Sequence, residues 1–261
     1  MKNQKKRLPK LRGAGIHVRD SESIEVKETA SLTVDDGARA TILISPKKDC
    51  KVVIHTGNGS DISIFVIQDK RASLELTTYV SSRSVVRTNC LWRYGGEERI
   101  SNILVGEGAD AHDTSVFIED GTSDLTLDSR LEHKAPNTKG DILVKGVVKG
   151  NASARLDGMI RVEKKGKGAV SFLSEHAILL DPSAHAQADP QLEILNNDVN
   201  SRHSASVSRI DEGKIFYCMT RGLDRKSAKK LLTEGFLSSA LERINDDNKR
   251  KEFEDAIESA L

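Results

Sequence analysis

Aromatic residues are scarce in this sequence: six Phe, three Tyr and one Trp serve 261 residues. A core of any size must therefore be built from Val, Ile, Leu and Ala packed in regular layers. Cysteine is scarcer still. Cys50, Cys90 and Cys218 are odd in number and far apart, which argues against a disulfide framework and for a reducing, cytoplasmic setting. Without a Cys-x-x-Cys pair, a structural zinc knuckle is not expected. No run of about 18 apolar residues occurs, so no membrane span is expected. The 40 Lys and Arg nearly cancel the 39 Asp and Glu, leaving a formal charge of +1. That balance argues against binding nucleic acid by neutralising phosphates. Walker A, Gly-x-Ser-x-Gly and His-Glu-x-x-His sequences are all missing, so the chain is expected to be neither an ATPase nor an enzyme of those hydrolase classes.

What is present reads as three segments. Residues 1–21 begin with the basic, Pro-containing Met1–Arg12, which has no apolar stretch and reads as a tail rather than a secretory signal. Residues 22–214 read as many short strands. Alternation is clear in Asp124-Leu125-Thr126-Leu127 and Ile160-Arg161-Val162-Glu163, and turn signals recur at Gly57-Asn58-Gly59, Gly106-Glu107-Gly108, Asp120-Gly121 and Gly166-Lys167-Gly168. So many short strands exceed one ordinary sandwich. Two architectures fit: a large β-sandwich or barrel, or a β-solenoid of stacked coils. The shortage of aromatics favours narrow coils lined by small aliphatic ladders, while irregular turn spacing counts against a strict repeat.

The texture changes over residues 215–261. Asp224 is placed to cap a helix, and Ala228, Leu231, Leu232, Leu237, Ala240, Leu241 and Ile244 keep helical spacing. Gly235 interrupts this stripe, so a break or kink is expected there. Phe253, Ala256, Ile257 and Ala260 share the face of a second helix. The stripes either pack on the β body and on each other, or offer a docking surface to another protein.

Chemistry-bearing residues gather in Ser171 to Ile210, which holds Glu175, His176, His185, Asp189, Glu193, Asp198 and His203. Imidazoles and carboxylates together suit iron or another transition metal, although each residue taken singly fits a solvated strand. Cys218 lies in the apolar run Ile215-Phe216-Tyr217-Cys218-Met219, where an inert buried thiol is the plain reading.

The last ~130 residues carry a resemblance. His133-Lys134-Ala135-Pro136-Asn137-Thr138, Ala154-Arg155-Leu156-Asp157-Gly158, Ile178-Leu179-Leu180-Asp181 and Ala188-Asp189-Pro190-Gln191-Leu192-Glu193 come first. His203-Ser204-Ala205-Ser206-Val207, Phe216-Tyr217, Arg221-Gly222-Leu223 and Glu234-Gly235-Phe236-Leu237 follow. In this order they resemble the SufB/SufD family of iron–sulfur cluster assembly proteins. The resemblance implies a mainly β fold, a right-handed parallel β-helix with a small C-terminal α-helical domain. It implies a non-catalytic scaffold that dimerises through the β-helix, as a homodimer or with a SufB-like subunit. Its expected partners are a SufC-like ABC ATPase bound by the helical domain and acceptor apo-proteins, with no nucleic acid and no membrane.

On this resemblance His203 matches a histidine implicated at the subunit interface, and the scaffold cysteine of SufB-type proteins falls at Glu175. Ser204 stands where those proteins carry glutamate, so the site is SufD-like, whereas Phe216-Tyr217-Cys218 looks SufB-like. Glu175 and His203 are thus the implied metal ligands, with Cys218 the nearest thiol in sequence, for a transient iron–sulfur cluster shared across the interface. Phe236, Leu237 and Leu241 are the residues expected to meet the ATPase.

Overall fold

Short aliphatic runs of period two give strands whose alternate side chains point into one interior. The computed structural model describes residues 15–68 and 70–261. The odd-numbered strands form one sheet: β1 (Ile16–Val18), β3 (Ala30–Val34), β5 (Cys50–His55), β7 (Leu74–Val80), β9 (Gly96–Leu104), β11 (Asp124–His133) and β13 (Ser153–Val162), closed by β15 (His185–Ala188) and β16 (Gln191–Ile194). The even-numbered strands form the other: β2 (Glu22–Val26), β4 (Arg39–Ile44), β6 (Asp61–Ile67), β8 (Val85–Trp92), β10 (Asp110–Glu119), β12 (Lys139–Val148), β14 (Ala169–Leu179) and β17 (Val199–Arg209). Every pairing is parallel, so each passage of the chain adds a strand to each sheet. The protein is mainly β with parallel sheets and three helices among the described residues.

Parallel register stacks inward side chains in columns. One column runs Ile42, Ile64, Thr88, Asp113, Ile142, Leu173. Its neighbour runs Ile44, Val66, Cys90, Ser115, Val144, Glu175. Aliphatic residues dominate these columns and are fully buried, each worth roughly 1.5–3 kcal/mol. The two largest interior aromatics, Trp92 and Phe117, lie next to each other in a third column, above Gly146. A Cβ added at Gly146 would lie 2.2 Å from the Phe117 ring, so only glycine leaves it room.

The turns stack as well. Gly37, Gly59, Arg83, Gly108, Asn137 and Gly168 all hold positive φ at one corner. The N–H of each donates to a carbonyl in the next passage, as from Gly37 to Asn58 and from Asn137 to Lys167. The interval between corners widens from Gly37–Gly59 to Asn137–Gly168 as strands lengthen from 3 residues in β1 to 11 in β14. This lengthening is why no fixed repeat is visible in the sequence.

β1 lies inside residues 1–21, the stretch expected to be tail; residues 1–14 of that stretch lie outside the described residues. The first helix, α1 (Glu212–Thr220), also begins earlier than expected, because the Asp211 carboxylate accepts from the N–H groups of Gly213 and Lys214. α2 (Arg225–Leu241) is capped by Asp224 as expected, and α3 (Asp247–Ala260) by Asp246. Contrary to expectation, α2 runs unbroken through Gly235. Burial of Ala228, Leu237, Ala240 and Leu241 on either side outweighs the ~1 kcal/mol cost of a helical glycine. Leu237, Ala240, Leu241, Ile244, Phe253 and Ile257 cover the outer face of the even-strand sheet at Phe65, Leu91, Val116, Ile118 and Val147.

Two glycine substitutions should separate packing from propensity. Gly146→Ala forces Phe117 out of place and is expected to lower unfolding free energy by about 1–3 kcal/mol in urea titration. Gly235→Ala meets nothing within 4 Å and is expected to raise it by up to ~1 kcal/mol.

Candidate functional site

The even-strand sheet ends at β17, an 11-residue strand hydrogen-bonded to β14 on one side and to no other strand of the described residues on its other side. Polar contacts fix it in register: the hydroxyls of Ser171 and Ser201 meet at 2.8 Å, those of Ser174 and Ser204 at 2.9 Å, and His176 Nδ1 meets the Ser206 hydroxyl at 2.7 Å. His203 pairs with Leu173, an inward position, so the imidazole continues an interior column at the open end and is exposed. Ala205 pairs with Glu175. Glu175 and His203 therefore occupy adjacent strands, on one face, as diagonal neighbours.

Glu175 is 0% exposed, and neither carboxylate oxygen has a hydrogen-bond partner among the described residues. Gly158 of the facing sheet makes room for it: a Cβ there would stand 2.5 Å from Oε1. Burial pushes the Glu175 carboxyl up to about 7, and the negative charges of Asp157 and Asp189 push the same way. At neutral pH the group is poised between a hydrogen-bond donor and an anion.

The other expected site residues lie elsewhere. Cys218 is half-buried on α1, packed beside Ile210, Ile215 and Ala228, so the fold groups it with the helices and not with Glu175 and His203. Among the described residues no three His, Cys, Asp or Glu side chains form a metal-holding group. Leu237 and Leu241 are buried in the protein's own core, and Phe236 is half-buried with Lys145 Nζ 4.8 Å above its ring. The free apolar surface of the helices is another set: Phe216 (68% exposed) and Tyr217 on α1, Leu223 in the turn, and Leu231 on α2.

Three further buried acids escaped sequence reasoning. Glu98 is pushed up to about 8, and Asp113 and Glu119 to about 7, in each case chiefly by burial. Their inward parity was the available signal: Asp113 and Ser115 alternate with His112 and Thr114 on β10.

The sequence matches the profile described as SUF system FeS cluster assembly, SufBD core domain, over residues 16–236. The chain belongs to the SufBD family. Curated relatives named iron–sulfur cluster assembly SufBD family protein, from Staphylococcus epidermidis, Staphylococcus haemolyticus and Staphylococcus aureus, are each 29% identical over 135 residues. That stretch is 52% of this chain and 29% of each relative, so the chain matches under a third of their length. Within this SufBD core, the matched region takes in β1 through most of α2, including Glu175, His203 and Cys218. No helix among the described residues is long and apolar enough to cross a membrane.

The Glu175 carboxyl ionises more readily in the unfolded chain than in the folded one. Its contribution to stability is complete below the ordinary carboxyl range near 4.5 and is lost as pH rises through about 7. Denaturant midpoints compared at about pH 5 and pH 8 should show Glu175→Gln gaining roughly 1–3 kcal/mol on wild type at the higher pH. An equal difference at both pH values would contradict the buried, unpaired carboxyl.

Proposed function

We propose that this chain is a non-catalytic scaffold subunit of a SUF-type complex that assembles iron–sulfur clusters, and that the winding of its two sheets is the family's right-handed parallel β-helix. The observation that carries the reading is the open edge of β17 with exposed His203 beside buried Glu175. A long unpaired edge is ordinarily covered or paired. A second subunit, another copy of this chain or a SufB-like one, pairs there and brings its own ligands to the same end. Two-fold symmetry doubles a two-residue set into four. Carboxylate and imidazole suit iron, and a thiolate from the partner or from a rearranged Cys218 completes the coordination that a cluster prefers. The cluster is cargo, assembled at the interface and passed to apo-proteins in the cytoplasm.

A SufC-like ABC ATPase docks on the helices in this reading. The surface that supports it is Phe216, Tyr217, Leu223 and Leu231, which stays exposed; Leu237 and Leu241 contribute by holding α2 on the body. Motion of α1 and α2 reaches the site directly, because the chain enters α1 straight from β17. A second reading, an adaptor that holds the ATPase and a separate scaffold subunit without binding metal itself, is favoured by the carboxylate at position 175 where a thiolate would bind a cluster more strongly.

Anaerobic reconstitution with iron and sulfide, read by absorption and Mössbauer spectra, tests the site. His203→Ala and Glu175→Ala should each lose most of the cluster signal, and Cys218→Ala should reduce it. Cluster signal unchanged in all three would leave the adaptor reading. For docking, Phe216→Asp combined with Leu231→Asp should abolish co-purification of the ATPase without changing thermal unfolding. Removing α2 and α3 altogether is a poorer test, since it strips Phe65, Leu91 and Val116 of their cover.

A further inference from the structure

A cavity of about 250 Å³ lies on the outer face of the even-strand sheet, where β8, β10 and β12 meet the chain just beyond α2. It is distinct from the open edge at β17: its nearest lining strand, β12, is separated from β17 by β14. Asn89 and Thr114 form its floor. They are register partners on β8 and β10, 5% and 3% exposed, and neither side chain is hydrogen-bonded to another of the described residues. Their polar atoms open onto the cavity, where they are free to bond an occupant in place of water.

The walls indicate what that occupant is. Arg87 reaches from β8 and is bonded to Asp61 through one guanidinium nitrogen only. Arg243, just past the end of α2, is bonded to Asp141 through one nitrogen only. A guanidinium has five N–H donors, so each of these two cavity-lining arginines retains several beyond the one bonded to its carboxylate. The one carboxylate lining the cavity, Asp141, has both oxygens engaged, one by Arg243 and the other by His112 Nδ1 at 2.9 Å. His112 is held on its far side by Asp110 at 3.2 Å. The one carboxylate is thus already paired with cationic or polar donors, whereas two guanidiniums, an amide and a hydroxyl line the same cavity. A purely structural clasp accounts for Arg243, Asp141 and His112 but leaves Asn89, Thr114 and the free face of Arg87 without a role.

We propose that this cavity binds a small multiply charged oxyanion of the phosphate class. Arg87 and Arg243 grip it from two sides, and the Asn89 amide and Thr114 hydroxyl donate from below. Paired, forked N–H donors are the geometry guanidinium offers to phosphate. The polar lining and small volume suit an inorganic anion or a phosphoryl group better than a large apolar ligand. Because Arg87 belongs to the sheet and Arg243 to the helical segment, the bound anion bridges the two and tightens the seat of α2. This site stands independently of cluster assembly.

The test uses the full chain with inorganic phosphate as probe and sodium chloride at matched ionic strength as control. Isothermal titration and thermal unfolding should show saturable phosphate binding to wild type and a rise in Tm that chloride does not give. Arg87→Gln should weaken phosphate binding by about tenfold or more, the loss of a charge-assisted contact. Thr114→Val, nearly isosteric, should weaken it several-fold while keeping the chloride Tm. Citrate serves as the carboxylate arm. Absence of saturable phosphate binding in wild type, or wild-type affinity in both variants, overturns the proposal, and so does tighter saturable binding of citrate than of phosphate.

Discussion

The constraint on which everything else depends is that inward side chains of successive parallel strands stand in register. A residue at an interior position is packed against the residues above and below it in its column, and its size is set by theirs. Ile42, Ile64, Ile142 and Leu173 satisfy this with nearly uniform volume. Where the column departs from uniformity, the departure is compensated nearby. Trp92 and Phe117 follow one another only because Gly146 comes next. The scarcity of aromatics is a consequence of this geometry, since a narrow interior between two sheets has few places where a ring can be offset by a missing side chain.

The same constraint creates the polar features. An inward parity position cannot turn its side chain to solvent, so Asp113, Glu119 and Glu175 are carried into the interior with their carboxyls unpaired or nearly so. Their protonation is coupled to burial rather than to a partner, and their raised pKa values follow. At the last passage the stack simply stops. β17 presents the column ends, His203 over Leu173 and Ala205 over Glu175, to whatever pairs next. The site is the unfinished end of the core, which is where the proposed second subunit would pair.

Several of these features were legible in the sequence, for physical reasons that can be named. Alternation in Asp124–Leu131 and Ile160–Glu163 reports strands directly because period two is a property of the backbone. Asp224 as cap, and Phe253 with Ile257 on one helix face, are local signals and appear where expected. Coil length was not legible, since it changes steadily along the chain, and neither was β1, too short at three residues to show a period. The use of Leu237 and Leu241 depended on the outer face of a distant sheet. A signal for that existed in Phe65-Val66-Ile67 and Val116-Phe117-Ile118, where consecutive apolar residues mean that both faces of the strand are covered. The pairing of Glu175 with His203 as diagonal neighbours needed the register itself, which no local pattern carries.

The proposed scaffold role requires that a partner complete the β17 edge when the cluster is assembled. Amide hydrogen exchange across residues 199–209, compared between the free chain and the iron- and sulfide-loaded complex with its ATPase, tests it most directly. The β17 amides facing away from β14 should exchange freely in the free chain and become protected in the loaded complex. Equal exchange of those amides in both states, with iron and sulfide bound, would contradict it.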